Sequence, residues 1–249
     1  FYNKSVVEEA GVDPPSLSSP ADLVSACETI ATETKAVPFT QQTKSPWSTV
    51  QLWATVLLAD SGHEAYQNFY EGNPDREAVA SALDIVSQLS EYYPNDSSTL
   101  ELTGANAKII NGEAAFIHQG DWAAGQYKAA DNFDFGEEWD YVPFPGTTGV
   151  YHVVSDSFVM PTPNPSPEAT RKWLNYCGSV DGQKRFNPIK GSIPPRTDVP
   201  DDPFGPFLTE QRSDFEDSNA QPPTVAHGTG VSPEVKSNIE GAFSSFIGN

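Results

Sequence analysis

Between the turn Asn111-Gly112 and the triplet Gly120-Asp121-Trp122 the chain carries a short apolar run, Ala114-Ala115-Phe116-Ile117-His118-Gln119. It is apolar at successive rather than alternate positions, which predicts a strand buried on both faces. Gly104–Ile110 reads as a helix before it, and another helix starts at Gly120-Asp121-Trp122. A strand of that kind between helices is satisfied by layers of helix against sheet, so the fold class is α/β. The same order places Trp122 at a strand C-terminus beside a helix N-terminus. Open α/β sheets bind ligands at that edge.

Helices dominate the first half. Ser19-Pro20-Ala21-Asp22 is a start signal, with a capping Ser, a Pro at the first helical position and an acid in the first turn. That helix runs to about Thr34. Ser45-Pro46 repeats the signal for a helix through Leu57-Leu58 that Ser61-Gly62 ends, followed by short Glu64–Tyr70. Asn73-Pro74-Asp75 opens Arg76–Tyr92, with Val79, Leu83, Val86 and Leu89 as its inner stripe. Further on, Trp139–Phe144 and Val150–Val159 alternate like strands. Glu168–Ser179 and Pro233–Phe246 read as helices, Asp181–Phe186 as a helical turn, and Asn187–Phe207 as irregular. No internal repeat is visible.

Charge narrows the function. The chain has 34 acidic against 14 basic residues, a net charge of −20, scattered rather than blocked into a tail. A nucleic-acid partner is excluded, because displacing phosphate counterions needs cationic surface. A polybasic membrane module is excluded for the same reason. Dispersed acidity with few lysines fits a surface kept hydrated in molar salt, where the Debye length is about 3 Å and self-repulsion is screened. A halophilic source is the expectation, with an ordinary acidic secreted protein as the alternative. Cys27 and Cys177 make no metal-ligand spacing and read as free thiols. The four His show no metal spacing either, and no nucleotide or nucleophile motif occurs, so no cofactor is expected. Asn3-Lys4-Ser5 and Asn95-Asp96-Ser97 fit the glycosylation sequon, at about the rate chance would give.

Four residues form a constellation of another kind. Trp122 lies at the ligand edge. Asp156 interrupts an apolar strand, where a buried carboxylate needs a partner or a role. Lys190 follows Asn187-Pro188-Ile189, and His227 follows Val225-Ala226. An indole stacks on the apolar face of a pyranose while charged and polar tips fix its hydroxyls, so the set is a carbohydrate toolkit. Each also has a plainer reading: a core aromatic, a strand-end cap, a solvated loop charge and a turn residue.

These segments resemble the extracellular solute-binding proteins, the sugar-binding components of ABC importers. Phe1-Tyr2-Asn3-Lys4, Gly11-Val12-Asp13-Pro14-Pro15 and Ser19-Pro20-Ala21-Asp22-Leu23 carry part of the likeness. Asn111-Gly112-Glu113-Ala114-Ala115-Phe116 followed by Gly120-Asp121-Trp122-Ala123 carries more. Phe186-Asn187-Pro188-Ile189-Lys190-Gly191-Ser192-Ile193-Pro194, with Arg196 and Asp198, is similar to the glucose/mannose-binding branch.

The resemblance implies a periplasmic binding protein-like (class II) two-lobe fold. It implies that 1–141 and 191–249 build the C-terminal lobe, that 142–190 returns to the N-terminal lobe through a hinge crossing, and that the first part of that lobe precedes this chain. Trp122 looks like the sugar-stacking residue, Asp156 and Lys190 like hydroxyl-binding residues, His227 like the imidazole closing the site, and Asp121 like a further binding residue. Cys27 and Cys177 would fall on different lobes, which supports free thiols. The implied function is a binding protein, not an enzyme, that captures a glucose-like monosaccharide or short oligosaccharide by hinge closure. Its partner would be an ABC permease. It would be monomeric, tethered to the membrane through a missing N-terminal segment, and extracellular or periplasmic. The alternatives are a glycan-acting hydrolase with a carboxylate pair, and a same-fold protein for a non-sugar solute.

Overall fold

Proline opens helix after helix in this chain, because its fixed φ suits the first turn and its missing N–H would have no partner there. The structure, a computed structural model, describes residues 1–247. Strand β1 (Tyr2–Asn3) leads into helix α1 (Lys4–Glu9), a 3-10 turn (Pro14–Ser16), α2 (Pro20–Glu33) and β2 (Val37–Thr40). Then come α3 (Pro46–Tyr70), α4 (Arg76–Ser90), α5 (Leu102–Ile110), β3 (Ala114–Ile117), α6 (Ala123–Tyr127) and β4 (Trp139–Asp140). Helices α7 (Pro167–Cys177), α8 (Val180–Lys190), α9 (Gly205–Asp217) and α10 (Pro233–Ile247) complete the order. Ser19 and Asp22 form a reciprocal capping box on α2, and Asp75 caps α4 through the N–H groups of Glu77 and Ala78. Gly62, at φ 84° and ψ 172°, kinks α3 where Ser61-Gly62 was expected to end a helix.

The four strands form one mixed sheet in the order β2-β3-β1-β4. β2 and β3 are parallel, with Phe39 opposite Phe116, while β1 runs antiparallel to β3 and β4. All four residues of β3 are buried, Ala115 and Phe116 in one apolar cluster and Ala114 and Ile117 in another. The first cluster holds α2, α3 and α4 against the sheet, with Phe243 of α10 against Trp53. The second is aromatic, gathering Tyr127, Phe133, Trp139 and Phe207. The buried strand between helices is therefore as expected.

Other expectations are corrected. The strand expected over Trp139–Phe144 ends at Asp140, since Pro143 and Pro145 can donate nothing to a ladder. Val150–Val159 is no strand: Val150 and Val153 make isolated bridges to Ala220 and Pro223, and Ser155–Met160 is exposed and irregular. Asn187–Phe207 is less irregular than its prolines imply. Helix α8 runs through Pro188 to Lys190, and α9 begins at Gly205. A Pro in a helix's last turn forfeits one hydrogen bond, which α8 tolerates.

Candidate functional site

β2 and β3 point their carboxyl ends the same way, and the chain leaving each enters the site. From β3 it passes His118, Gln119, Gly120 and Asp121 into α6, with Trp122 at the N-cap. The Trp122 Nε1–H donates to Gln119 Oε1 at 3.2 Å. Its six-membered ring lies on Gly120, where a Cβ would come within 2.2 Å of the ring, so only glycine leaves room for this indole.

A second close approach brings α8 to the same place. Gly191, at φ 84°, is the left-handed C-cap of α8. A Cβ on Gly191 would stand 2.6 Å from the Gly125 nitrogen, and one on Gly125 would stand 2.6 Å from the Lys190 carbonyl oxygen. Two glycines in contact thus set Lys190 beside Asp121 and Trp122. Lys190 Nζ in turn pairs with Asp156 Oδ2 at 2.8 Å. Burial pushes the Asp121 carboxyl up to about 6, opposed by Lys190 and by the backbone N–H groups of Ile193 and Trp122, with Asp156 adding to the rise.

His227 arrives from the far end of the chain. Its ring meets Trp122 edge-on at 5.5 Å between centroids and meets Trp47 at 5.6 Å. Burial lowers its pKa, Asp156 opposes that, and Lys236 and Lys190 reinforce it. All five expected residues therefore converge. Two corrections apply. Asp156 is not a buried carboxylate in a strand: its side chain is 63% exposed, and Lys190 is its partner. His227 stands against the indole rather than among the residues lining the cavity beside it.

That cavity has a volume of about 740 Å³, and Asp121, Trp122, Asp156 and Lys190 all line it. Its wall continues over Gln119, His118, Thr55 and Gln51. Gln119 Nε2, Gln51 Oε1 and His118 Nδ1 are buried there with no hydrogen-bond partner in the protein. A buried polar atom without a partner costs about 1–3 kcal/mol, so these atoms suit a hydroxylated ligand that would satisfy them. Burial holds the His118 imidazole down to about 3, so it is neutral at pH 7. Sequence reasoning missed Trp47, Gln51 and Gln119. The edge argument that found Trp122 would have found them: Trp47 and Gln51 open α3 just beyond β2, and Gln119 lies just beyond β3. Among the described residues no group of His, Cys, Asp and Glu could hold a metal ion.

Comparison with known proteins agrees with this geometry. Residues 1–210 match the family model described as bacterial extracellular solute-binding protein. A relative named xylose/arabinose-binding protein XacG, from Haloferax volcanii, is 46% identical over all of this chain and 54% of its own length. An uncharacterised ABC transporter extracellular-binding protein from Pyrococcus horikoshii is 34% identical over 93% of this chain and 52% of its own length. The chain thus spans about half the length of the curated relatives it matches. Among solved structures, the solute receptor AcbH, described with a preference for β-D-galactopyranose, superposes with a TM-score of 0.78 at 16% identity, covering 100% of this chain and 64% of that one. Maltose-bound MalE3 of T. maritima gives 0.67 at 19% identity, covering 98% and 65%. The expected periplasmic binding protein-like α/β fold is the observed one.

Proposed function

The chain belongs to the bacterial extracellular solute-binding protein family, and from that membership we propose that it captures a neutral sugar for an ABC importer. The observation that carries the reading is the convergence of Trp122, Asp121, Asp156 and Lys190 on one cavity wall, with unpartnered amide and imidazole atoms beside them. The indole offers a stacking face, the paired charges fix hydroxyls, and the neutral remainder suits an uncharged ligand. The ligand is a pentose, a hexose or a short oligosaccharide. A glucose-like sugar follows from the Phe186–Pro194 resemblance, and the name of the Haloferax relative adds xylose and arabinose. The role is binding rather than catalysis, in line with the relatives and structural neighbours, and the permease would read the closed form.

Residues 142–190 fit a second lobe. Seven of the nine large apolar side chains exposed among the described residues are Phe158, Val159, Met160, Trp173, Tyr176, Phe186 and Ile189. Phe158 meets Trp173 at 5.0 Å and Phe186 at 6.0 Å between centroids, and α7 buries no residue at all. An apolar face of that size requires cover, and the portion of a relative-length protein outside this chain would supply it. The closed site would then lie between that lobe and the rest, on the outer side of a membrane. The acidity, with a relative from Haloferax, supports a halophilic setting.

Titration calorimetry in molar salt with D-xylose, L-arabinose, D-glucose, D-galactose and maltose tests the reading. Saturable binding of at least one sugar, recovered unaltered, is expected. No heat from any of them, or release of new reducing ends from an oligosaccharide, would overturn it.

A further inference from the structure

Two segments that carry site residues pass each other over α3. Tyr151 N–H donates to the Ala220 carbonyl at 2.9 Å, Val153 N–H to Pro222 at 2.9 Å, and Thr224 N–H to Val153 at 3.1 Å. Beyond this crossing one strand of chain reaches Asp156 and the other reaches His227. Short backbone pairing alone would let the two slide or splay, and one side chain of α3 ties both of them to that helix.

That side chain is Tyr66, fully buried just past the kink at Gly62. Its hydroxyl lies 2.9 Å from the Pro223 carbonyl and 2.9 Å from His152 Nε2, and it accepts from Val225 N–H at 3.2 Å. A phenol has one proton to give and two lone pairs to fill. Donation to Pro223, with acceptance from Val225 N–H and from His152 Nε2–H, satisfies every atom. His152 Nδ1 is then left to accept from Thr55 Oγ1, 3.3 Å away. Burial keeps His152 neutral down to about 4 and holds the phenol protonated, as this arrangement needs. His152 belongs to one crossing segment, Pro223 and Val225 to the other, and Tyr66 and Thr55 to α3. One hydroxyl therefore fixes both segments against one helix.

We propose that Tyr66 is a positioning residue that, through His152 on the cavity wall, latches this crossing, so that the Asp156–Lys190 pair and Trp122, backed by His227, face the same ligand. The latch rests on the sugar-binding reading and adds its control point. Ligand contacts made on one segment are transmitted to the other through the shared hydroxyl.

Sugar affinity and dissociation rate, measured well below the unfolding midpoint, test it in the parent, Tyr66→Phe, His152→Leu and His152→Gln. Tyr66→Phe and His152→Leu leave buried polar groups unpaired. Each is expected to weaken binding at least about tenfold, mostly through faster dissociation. His152→Gln keeps a neutral N–H donor and is expected to stay within about threefold of the parent. Parent-like affinity in Tyr66→Phe and His152→Leu, whatever their thermal stability, would overturn the latch. So would equal losses in His152→Gln and His152→Leu. If the variants do not fold, hydrogen exchange on the parent decides. Sugar should slow exchange at the amides of Val153, Thr224 and Val225, and unchanged protection there would overturn the proposal. A parent that binds no sugar refutes the function itself, and a parent that binds while the latch variants bind equally refutes only the latch.

Discussion

Asp156 Oδ2 stands 2.8 Å from Lys190 Nζ, joining a segment with no regular structure to the last turn of α8. With Asp156 63% exposed, such a pair adds only about 0–1 kcal/mol to stability. Its value is geometric, since it aims both groups at the cavity beside Trp122. Asp156→Asn should therefore shift the unfolding midpoint by no more than a few degrees, about what 1 kcal/mol gives in a domain of this size. Sugar affinity should fall about tenfold, the loss of one charge-assisted hydrogen bond. A large fall in the melting temperature with unchanged affinity would show that the pair is structural only.

Trp122 has one edge on His227 and its ring on Gly120, so it is held before any ligand arrives. Truncating a preorganised aromatic anchor costs about 2 kcal/mol or more, roughly thirtyfold in affinity. Trp122→Ala should show that loss and should remove the ligand-dependent fluorescence change, while Trp122→Phe should retain part of the binding. Trp47→Phe acts through His227 and should cost less than Trp122→Ala. Calorimetry and fluorescence on the three variants check the order.

What was legible in the sequence follows from local physics. The capping box at Ser19, the break at Gly62 and the both-face-buried β3 each depend on a few neighbouring residues, and all are found. Trp122 was placed by the strand–glycine–helix order for the same reason. Val150–Val159 misled because its alternation is real but its pairing is short: it meets Ala220 and Pro223 in isolated bridges and continues into exposed chain. The surroundings of Asp156 were misread with it. Helix α9 was hidden by the proline-rich stretch before it, and Trp47 by the distance in sequence between it and His227. The Tyr66 node joins residues up to 159 positions apart, which no local pattern encodes.

The two cysteines are unbonded, Cys27 buried and Cys177 half-buried. Burial pushes the Cys27 thiol up to about 12, so it carries almost no thiolate at pH 8. Thiol titration of the folded protein should find Cys177 alone, and titration after denaturation should find two. A count of zero after denaturation would contradict free thiols.

A net charge of −20 acts against folding wherever it is unscreened. Raising salt from about 0.1 M to about 1 M shortens the Debye length from roughly 10 Å to 3 Å. Circular dichroism should then show a higher unfolding midpoint in molar salt. An unchanged midpoint would separate the acidity from salt adaptation.

Two buried imidazoles and one buried carboxyl pull acid stability in opposite directions. Burial lowers His118 to about 3 and His152 to about 4, against about 6.5 for a free imidazole. Between those values the unfolded chain binds protons that the folded chain does not. Their contribution is therefore complete above about 6.5 and is lost as pH falls toward 4 and then 3. Asp121, raised to about 6, binds its proton in the folded state first, so its share of stability rises as pH falls from 6 toward its ordinary range. Each of these two buried imidazoles loses on the order of 2 kcal/mol by pH 5. His118→Gln removes one imidazole without touching the Tyr66 node. In molar salt, its stability between pH 6.5 and 5 should fall distinctly less than the parent's, as measured by denaturant unfolding at each pH. Parallel curves would mean that His118 takes up its proton in the folded state as readily as in the unfolded one.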